Sequence, residues 1–497
     1  MNHLFKVLAL SLIALALNAF SATFKLSEQS LEEVAKKGSP QLDQIEAAFL
    51  NASLEEGETS QDYSPELFGK GSYTETNERA IIEFQPIFSP IKQAQLGIRQ
   101  KMRYGLEASA YVSTDQRSAT VPFTGKLQNA TTSTLAFTMQ MDIWKDIFGR
   151  NSKMELESAI LEKERATIEK DIQIKTFKIA LRRLYWSLVA NKEALGIAEA
   201  LLKTAQTQLS DTKLRFKNAV AEADEVARYE AQAASRQGTI LYLQYQKETF
   251  LKQLKNLLPE LALHEIELEK YDLNQTMSEI LVCTATIAQQ PKIPYDFTQY
   301  DEAVAILRKI KNNNSVINSR YADADVKLFG TVKTTGVNAE PTGTTTYRGT
   351  YRGAFDDNSE SNRTGYEVGV SFILPLGSVK EKTQKTKELY DEKRLLATIN
   401  STDAQVVSTH QQLVKSIGLL TDVIRSQKVS SEQLGKRLKL MKKKYEQARV
   451  SVNDLVNDQD ALLNSELTTI DTQLQILNTI FDYLVIYTET PCPFNRI

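Results

Sequence analysis

The chain has 497 residues, of which 42% are hydrophobic and 25% are charged, so it is long enough to bury a large core. Its formal net charge of −2 does not favour a polyanionic partner, and we expect no nucleic-acid binding. Three histidines and two cysteines offer little for a metal site, and the sequence contains no phosphate-binding glycine loop or nucleophile motif. We therefore expect no cofactor, and an enzyme is the least supported class.

The first 22 residues predict a secretory signal peptide. Lys6 precedes an apolar run over 7–17, and the small residues Ala19, Ser21 and Ala22 mark a cleavage point. No later stretch approaches the roughly 18 uninterrupted apolar residues of a membrane-spanning helix. If the exported chain enters a membrane, we expect it to do so as β-strands.

Four later segments alternate apolar and polar residues with a period of two, which predicts strands. They are Tyr104–Thr114, Thr134–Met141, Val326–Lys333 and Tyr366–Leu374. A strand of about ten residues suits a tilted crossing of a bilayer. Alternation alone also fits a half-buried sheet of a soluble protein. A lone four-stranded sheet has two open edges, so a membrane version must close by association, with eight strands from two chains or twelve from three.

Two long stretches contain no proline, Phe123–Leu258 and Leu376–Thr490, and after their first residues their composition predicts long helices. A coiled-coil seam with alternating spacings of four and three consists of Leu463, Leu467, Ile470, Leu474, Leu477, Phe481 and Leu484. The same spacing joins Phe177, Leu181, Leu184 and Leu188. The alternative for any one such segment is an ordinary amphipathic helix in a globular bundle.

Both helical stretches contain a similar break. Residues 215–219 (RFKNA) align with residues 444–448 (KYEQA), at an offset of 444 − 215 = 229, which is what an internal duplication would leave. Each half then reads as a helical hairpin whose first helix has roughly 67 or 68 residues, about 100 Å at 1.5 Å per residue. Such helices are too long to cover a small sheet.

The duplicated pattern of two strands and a helical hairpin resembles the TolC family of outer-membrane efflux channels. The resemblance covers about Leu26 to Tyr487, and it is most specific at the turns Arg215–Val226 and Lys444–Leu455 and at the strand-to-helix junctions Asp142–Arg150 and Val370–Gly377. It implies a mainly α fold, in which helical hairpins form an α-helical barrel. It also implies a homotrimer whose chains each contribute four strands to a twelve-stranded transmembrane β-barrel.

The resemblance also implies a division of the chain into six segments. They are 1–22 (signal peptide), 23–103 (N-terminal helix and a strand-like insert leading to the barrel), 104–258 (first repeat), 259–300 (equatorial linker), 301–489 (second repeat) and 490–497 (equatorial tail). Within 23–103, residues 58–102 depart from the family pattern, because they are longer and more strand-like than the helix expected there. Cys283 and Cys492 would both lie in the equatorial belt; a disulfide between them and a pair of free thiols both stay open.

By resemblance, the functional residues lie at the periplasmic helix turns. Asp454 takes the position of an acidic ring at the pore constriction, and a second ring position falls on Asn457 with Asp458 beside it. Glu225 and Tyr445 take the positions of a hydrogen bond that holds neighbouring helices closed.

The implied function is a passive outer-membrane exit channel in a Gram-negative bacterium, working with a periplasmic adaptor and an inner-membrane pump or ABC transporter in efflux or type I secretion. The alternatives are a periplasmic adaptor and a secreted coiled-coil scaffold without a channel.

Overall fold

A computed structural model of the chain describes residues 23–77, 87–120, 127–271, 273–288, 299–341, 347–360, 363–447 and 449–486. The chain divides into two compact units. We call one the helical unit (Met1–Phe49, Thr167–Val304 and Asn400–Ile497) and the other the sheet unit (Leu50–Ala166 and Ala305–Ile399). The predicted signal peptide lies outside the described residues. The choice between a Cys283–Cys492 disulfide and free thiols also lies outside them, because Cys492 and the side chain of Cys283 are not described.

The described part of the chain is mainly helical. In chain order its helices and strands are β1 (Thr23–Leu26), α1 (Glu28–Gly38), α2 (Pro40–Gln61), β2 (Glu66–Thr74), β3 (Phe88–Lys101), β4 (Leu106–Thr120), β5 (Leu127–Asp142), α3 (Arg150–Lys217), α4 (Ala223–Leu257), β6 (Glu265–Leu268), α5 (Leu273–Ala288), α6 (Gln299–Ser319), β7 (Asp325–Asn338), β8 (Glu340–Pro341), β9 (Tyr347–Arg348), α7 (Tyr351–Glu360), β10 (Thr364–Ile373), α8 (Ser378–Glu446) and α9 (Val452–Ile486).

The sheet unit contains a six-stranded sheet in the order β10-β7-β5-β4-β3-β2, in which every neighbouring pair is antiparallel. The four predicted strands are present as β4, β5, β7 and β10, and all four are longer than predicted, although β10 has only one residue more. The prediction Tyr104–Thr114, for example, is observed as Leu106–Thr120. Backbone pairing continues past the apolar residues because ladder hydrogen bonds do not depend on the polarity of the side chains.

The expectation of four strands per chain is incomplete, since β2 and β3 join the same sheet. Both strands lie in the segment 58–102, whose strand-like character was the one departure from the family pattern. Within this segment the structure has strands at Glu66–Thr74 and Phe88–Lys101, while residues 58–61 are the end of α2. The β2–β3 pair adds two strands beyond β4, so β4 is an interior strand and β2 is the edge of the sheet.

One face of this sheet is apolar and exposed. Strand register places Ile98 beside Ala110, Ala110 beside Phe137 and Phe137 beside Val332 in a continuous row. The opposite face is polar: the Thr138 and Thr331 hydroxyls lie 3.0 Å apart, and Gln140 Nε2 donates to Glu107 Oε2 at 2.6 Å. The period-two alternation therefore gives a sheet with one apolar and one polar side, as predicted.

A tight turn joins β3 to β4. Gly105 has φ = +72°, and a Cβ atom there would meet Asp146 O at 2.7 Å and the Gly149 backbone nitrogen at 2.8 Å. Gly149 has φ = +69° at the start of α3. Asp146 caps that helix by accepting from the backbone nitrogens of Asn151 (2.7 Å) and Ser152 (3.1 Å). Gly105, in the turn between β3 and β4, therefore lies against Gly149, at the junction between β5 and α3. Both positions require glycine, because a side chain would not fit at either.

The long helices are confirmed with nearly the predicted lengths. Helices α3 and α8 have 68 and 69 residues, and α4 and α9 have 35 each. Most of the predicted seam is buried: Leu463, Leu477 and Phe481 are each at most 2% exposed, while Leu467 and Leu474 are half-buried. Among the described helices, none combines the length and the apolar character that a membrane crossing requires.

The main apolar core lies in the helical unit. It joins the middle of α3, the end of α9 and the N-terminal residues, with Phe177, Leu181 and Leu188 of the second predicted seam among its members. Strand β1 pairs in parallel with β6, and Leu26 is fully buried. Burial of each such side chain contributes roughly 1.5–3 kcal/mol, so this core anchors the two helical hairpins to each other.

Candidate functional site

The candidate site consists of the two turns where the helical hairpins reverse. In the first turn, Val220 N donates to Arg215 O at 2.8 Å; in the second, Arg449 N donates to Lys444 O at 2.9 Å. The residue numbers differ by 449 − 220 = 229 and 444 − 215 = 229, the offset found in the sequence. Both bonds have the six-to-one spacing of a Schellman helix end, which satisfies a carbonyl left free by the helix. The duplication therefore extends to backbone geometry.

The two turns differ in how the returning helix starts. Helix α9 begins with a capping box, in which Asp454 Oδ2 accepts from Ser451 N (3.1 Å) and Ser451 Oγ (2.6 Å), and Asp454 N donates to Ser451 Oγ (3.3 Å). At the start of α4, Glu222 makes no side-chain capping bond. The second turn is therefore the more firmly held of the two.

Asp454 is exposed and negatively charged. Hydrogen bonds from the Ser451 hydroxyl, and then from the Ser451 backbone, hold the pKa of the Asp454 carboxyl below its usual value. A carboxylate in the first turn of a helix is also favoured by the helix dipole. Asp454 thus has a local capping role that the resemblance did not predict, while its predicted role in an acidic ring stays a prediction.

The other two predicted constriction residues have different environments. Asn457 is exposed. The Asp458 side chain is only 6% exposed and makes two charge-assisted bonds with Arg437, from Nε to Oδ2 at 3.0 Å and from Nη2 to Oδ1 at 2.9 Å. Asp458 therefore has a partner within its own hairpin. The sequence analysis did not predict this pair.

The predicted bond between Glu225 and Tyr445 is not formed between these described side chains. Instead, the Tyr445 hydroxyl accepts from Arg215 Nη1 at 2.9 Å, and the Arg215 guanidinium lies 5.6 Å from the ring centroid. Glu225 Oε2 is buried with no hydrogen-bond partner among the described residues. Burial raises the pKa of the Tyr229 phenol, and the neighbouring Tyr445 and Glu225 raise it further. The four side chains form one cluster that joins α3, α4 and α8, which we call the tip cluster.

A second polar group, above the tip cluster, joins the hairpins to each other. Gln232 Nε2 of α4 donates to Gln459 Oε1 of α9 at 2.9 Å, and Gln459 Nε2 donates to Gln208 Oε1 of α3 at 3.2 Å. Arg236 of α4, which is buried, forms an ion pair with Asp460 of α9. We call these residues the interhairpin group. Because their partners are more than 220 positions away along the chain, no local sequence pattern identifies them.

In the part of the chain that the structure describes, no group of three or more His, Cys, Asp or Glu side chains is arranged to hold a metal ion. The chemistry available at the turns is hydrogen bonding and fixed charge. Such groups hold helices together or set the local potential near a pore.

We expect Arg437→Gln to destabilise the second hairpin, because the buried Asp458 carboxylate would lose its partner. The loss should be about 1–3 kcal/mol in the free energy of unfolding, measured by urea unfolding in detergent. Lys439→Gln removes an equal charge from the same helix and should change little. Adding Asp458→Asn to Arg437→Gln should recover most of the loss. Equal stability of the Arg437→Gln and Lys439→Gln proteins would refute the buried-pair interpretation.

The chain was compared with known proteins by sequence and by structure. No protein-family model matches it, and no curated protein matches it by sequence. Solved structures do match. The outer membrane protein VceC of Vibrio cholerae is 16% identical with a TM-score of 0.64, and the match covers 93% of this chain and 97% of VceC.

Two further matches are described as channels. The CmeC outer membrane channel of Campylobacter jejuni is 12% identical with a TM-score of 0.60, covering 93% of this chain and 88% of CmeC. The MtrE outer membrane channel of Neisseria gonorrhoeae, solved in its open state, is 16% identical with a TM-score of 0.58, covering 92% of this chain and 88% of MtrE. The chain therefore has the fold of the TolC-family outer-membrane channels, as the sequence pattern predicted.

Proposed function

We propose that this protein is the outer-membrane exit channel of a tripartite efflux or type I secretion system. It acts as a passive conduit that is gated at the turns of its helical hairpins. The observation that supports this most strongly is the match of 92–93% of the chain to structures of outer-membrane channels, a share that includes both the sheet and the long hairpins. The protein works as a homotrimer, with an outer membrane of a Gram-negative bacterium as its location.

The sheet unit supports the membrane part of this proposal. Its exposed apolar face spans every strand of the large sheet, and Tyr366, Val368 and Phe372 of β10 are at least 67% exposed. A contiguous exposed apolar surface of this kind marks contact with protein or lipid. The alternation of apolar and polar residues along each strand is the pattern of a transmembrane strand, with lipid on one side and water on the other.

The helical unit supports the gate. The tip cluster and the interhairpin group join helices of both hairpins by hydrogen bonds and ion pairs rather than by apolar packing alone. A hydrogen bond to a charged group contributes about 1.5–3 kcal/mol, so loss of one such bond shifts an equilibrium by tenfold or more. Contacts of this size bias a gate without fixing it.

The proposal also includes the division of the chain into segments and the partner proteins. The chain consists of a signal peptide (1–22), an N-terminal segment (23–103), two repeats (104–258 and 301–489), an equatorial linker (259–300) and an equatorial tail (490–497). A periplasmic adaptor and an inner-membrane pump or ABC transporter are the partners. The described residues of the linker include β6 and α5, which pack on the main core of the helical unit.

The alternatives are a periplasmic adaptor and a secreted coiled-coil scaffold, neither of which inserts into lipid. A channel should stay in isolated outer membranes after washing with high salt or carbonate and should need detergent for extraction. In planar bilayers the purified protein should then give discrete conductance steps. Release of the protein by carbonate, together with no conductance, would favour a scaffold and exclude the channel.

We expect the double variant Tyr445→Phe, Glu225→Gln to open the gate more often than the parent. It removes the acceptor for Arg215 and the charge of the half-buried Glu225 carboxylate near Tyr229, so the ratio of open to closed states should rise about tenfold. The measurement is single-channel conductance and open probability in planar bilayers. Tyr242→Phe, which changes an exposed tyrosine of α4, is the matched control and should behave as the parent. An open probability no higher than that of the parent would count against a gate at the tip cluster.

We expect Asp454→Asn to reduce the cation preference of the channel, because three copies of this exposed carboxylate would surround the pore axis. Asparagine keeps an oxygen that accepts from Ser451, so the cap should survive. Since the folded pKa of Asp454 lies below the usual value, the parent's preference should persist as the pH falls to that value and disappear only below it. Asp422→Asn, a change at an exposed carboxylate of α8, is the control. Unchanged reversal potentials in a salt gradient would refute the prediction that Asp454 forms an acidic ring.

A further inference from the structure

The strand pair β2–β3 is an integral part of the large sheet. All nine residues of β2 pair with β3, from Glu66 opposite Arg99 to Thr74 opposite Ile91. Strand β3 then pairs with β4 from Lys101 opposite Glu107 to Phe88 opposite Ala119, with one irregularity between Phe88 and Ile91. The ladder continues through β4 without a gap. The hairpin is therefore continuous with the four strands predicted from the sequence.

Side-chain packing ties the hairpin to β4 on the polar face. A Cβ atom on Gly97 of β3 would lie 2.5 Å from Tyr111 Cβ and 2.6 Å from Phe68 Cζ, so Phe68 of β2 and Tyr111 of β4 both pack against this glycine. At the turn end of the sheet, Arg99 Nε pairs with Glu66 Oε2 at 2.7 Å, and Gln100 Nε2 donates to Tyr63 O at 3.3 Å. The packing at Gly97 therefore spans three strands, and the bonds of Arg99 and Gln100 hold β3 to β2 and to the residue Tyr63 before it.

The apolar face also extends across the hairpin. Leu67 of β2 lies beside Ile98 of β3, which lies beside Ala110 of β4. Leu67, Leu96 and Ile98 are 73%, 59% and 54% exposed, in the same range as the apolar side chains of β7 and β10. If lipid covers the apolar face of β4, β5, β7 and β10, the same lipid layer covers β2 and β3.

The two edges of the sheet are therefore β2 and β10. Each leaves one row of backbone N–H and C=O groups unpaired, which hydrocarbon does not satisfy. With six antiparallel strands, the first and the last run in opposite directions. An edge-to-edge contact between β10 of one copy and β2 of the next would consequently be antiparallel, as every other pair in the sheet is.

We propose that each chain contributes six strands to the barrel, and that β10 of one copy pairs with β2 of the next. This inference rests on the proposed function, since it requires a barrel built from several copies. Three copies of a six-stranded sheet give eighteen strands, in place of the twelve that the family resemblance implies. The partner for both edges is a second copy of this chain.

Side-chain complementarity favours one register. When all nine residues of β2 are paired, with Glu66 opposite Ile373, apolar residues stay on the apolar face: Leu67 lies opposite Phe372 and Tyr73 opposite Tyr366. Gly69 and Gly71, which have no side chain on that face, then lie opposite Val370 and Val368, whose branched side chains fill the space left at an edge glycine.

Charge complementarity acts on the polar face. In this register Lys70 of β2 lies diagonally opposite Glu367 of β10, within reach for a long side chain. Both residues are exposed in the isolated chain. Opposite charges at these two positions favour contact between β10 and β2, whereas two β10 edges would both carry the negative charge of Glu367.

A wider barrel changes what the membrane part does. A barrel of about eight strands is filled by its own side chains, while one of 16–18 strands leaves an aqueous channel. Eighteen strands would therefore make the membrane part an open tube lined by the polar face, and would leave restriction of flow to the helical hairpin turns.

Cysteine cross-linking in the full-length protein in outer membranes tests the proposal. The background carries Cys283→Ser and Cys492→Ser. In the proposed register Ser72 lies opposite Glu367 of the next copy, so Ser72→Cys with Glu367→Cys should form disulfides that give linked dimers and trimers on denaturing gels. Within one chain these strands are five strand spacings apart, about 24 Å, which is far beyond the roughly 4–7 Å Cα separation of a disulfide.

The matched controls are Ser109→Cys and Ser113→Cys, each with Glu367→Cys. Both serines lie on the polar face of β4, which would be the edge if each chain contributed four strands. We expect no cross-linked species from them. Cross-links through β4 with none through β2 would establish four strands per chain and overturn the proposal while leaving the channel function intact. Absence of links from every pair would also overturn it. A background protein that carbonate releases from membranes would instead refute the channel function.

Discussion

The structure depends on one constraint: a sheet with an apolar exposed face and two unpaired edges is not stable in lipid as a single copy. Each unsatisfied backbone group in hydrocarbon costs several kcal/mol, and the edges β2 and β10 each present a row of them. Association of copies pairs the edges that meet, and closure into a barrel leaves no edge unpaired. Oligomerisation is therefore a condition of membrane insertion and not a later addition to it.

The helical unit meets a different requirement. Its long helices are joined by a buried apolar core that includes Phe481 and Leu181, whose burial does not depend on the state of the turns. Close to the turns, polar contacts such as the Gln232–Gln459 bond lie beside buried apolar residues such as Leu455. Hydrogen bonds and ion pairs of this kind contribute a few kcal/mol each. This arrangement is compatible with the proposed gate at the turns.

Sequence reasoning predicted the elements whose signals are local and strongly periodic. The helix ends near Lys217 and Glu446 were visible because the duplicated segments aligned, and the strands β4 and β10 because their alternation was regular. Strand β2 was harder to recognise because Gly69 and Gly71 occupy apolar-face positions and dilute the pattern. The capping box of Ser451 and Asp454 has a spacing that is recognisable in the sequence, but the sequence analysis predicted only a pore role for Asp454.

The contacts that sequence reasoning missed at the candidate site join distant parts of the chain. Arg437 and Asp458 are 21 residues apart on two helices, and Arg215 and Tyr445 are 230 apart. The sequence around Arg437 gave no indication that this residue neutralises a buried carboxylate. The family resemblance placed Glu225 and Tyr445 at the hairpin turns, but it did not identify Arg215 as the partner of Tyr445. Only the folded arrangement of four helices determines which polar groups meet.

Amide hydrogen exchange along β10 in the detergent-solubilised particle tests the closing of the sheet most directly, because β10 is an edge of the isolated chain whichever strand meets it. Pairing with a neighbouring copy predicts that all amides of Thr364–Ile373 exchange as slowly as those of the interior strand β5. Rapid exchange at every second amide of β10, as expected for an open edge, would contradict the central claim that several copies seal into one barrel.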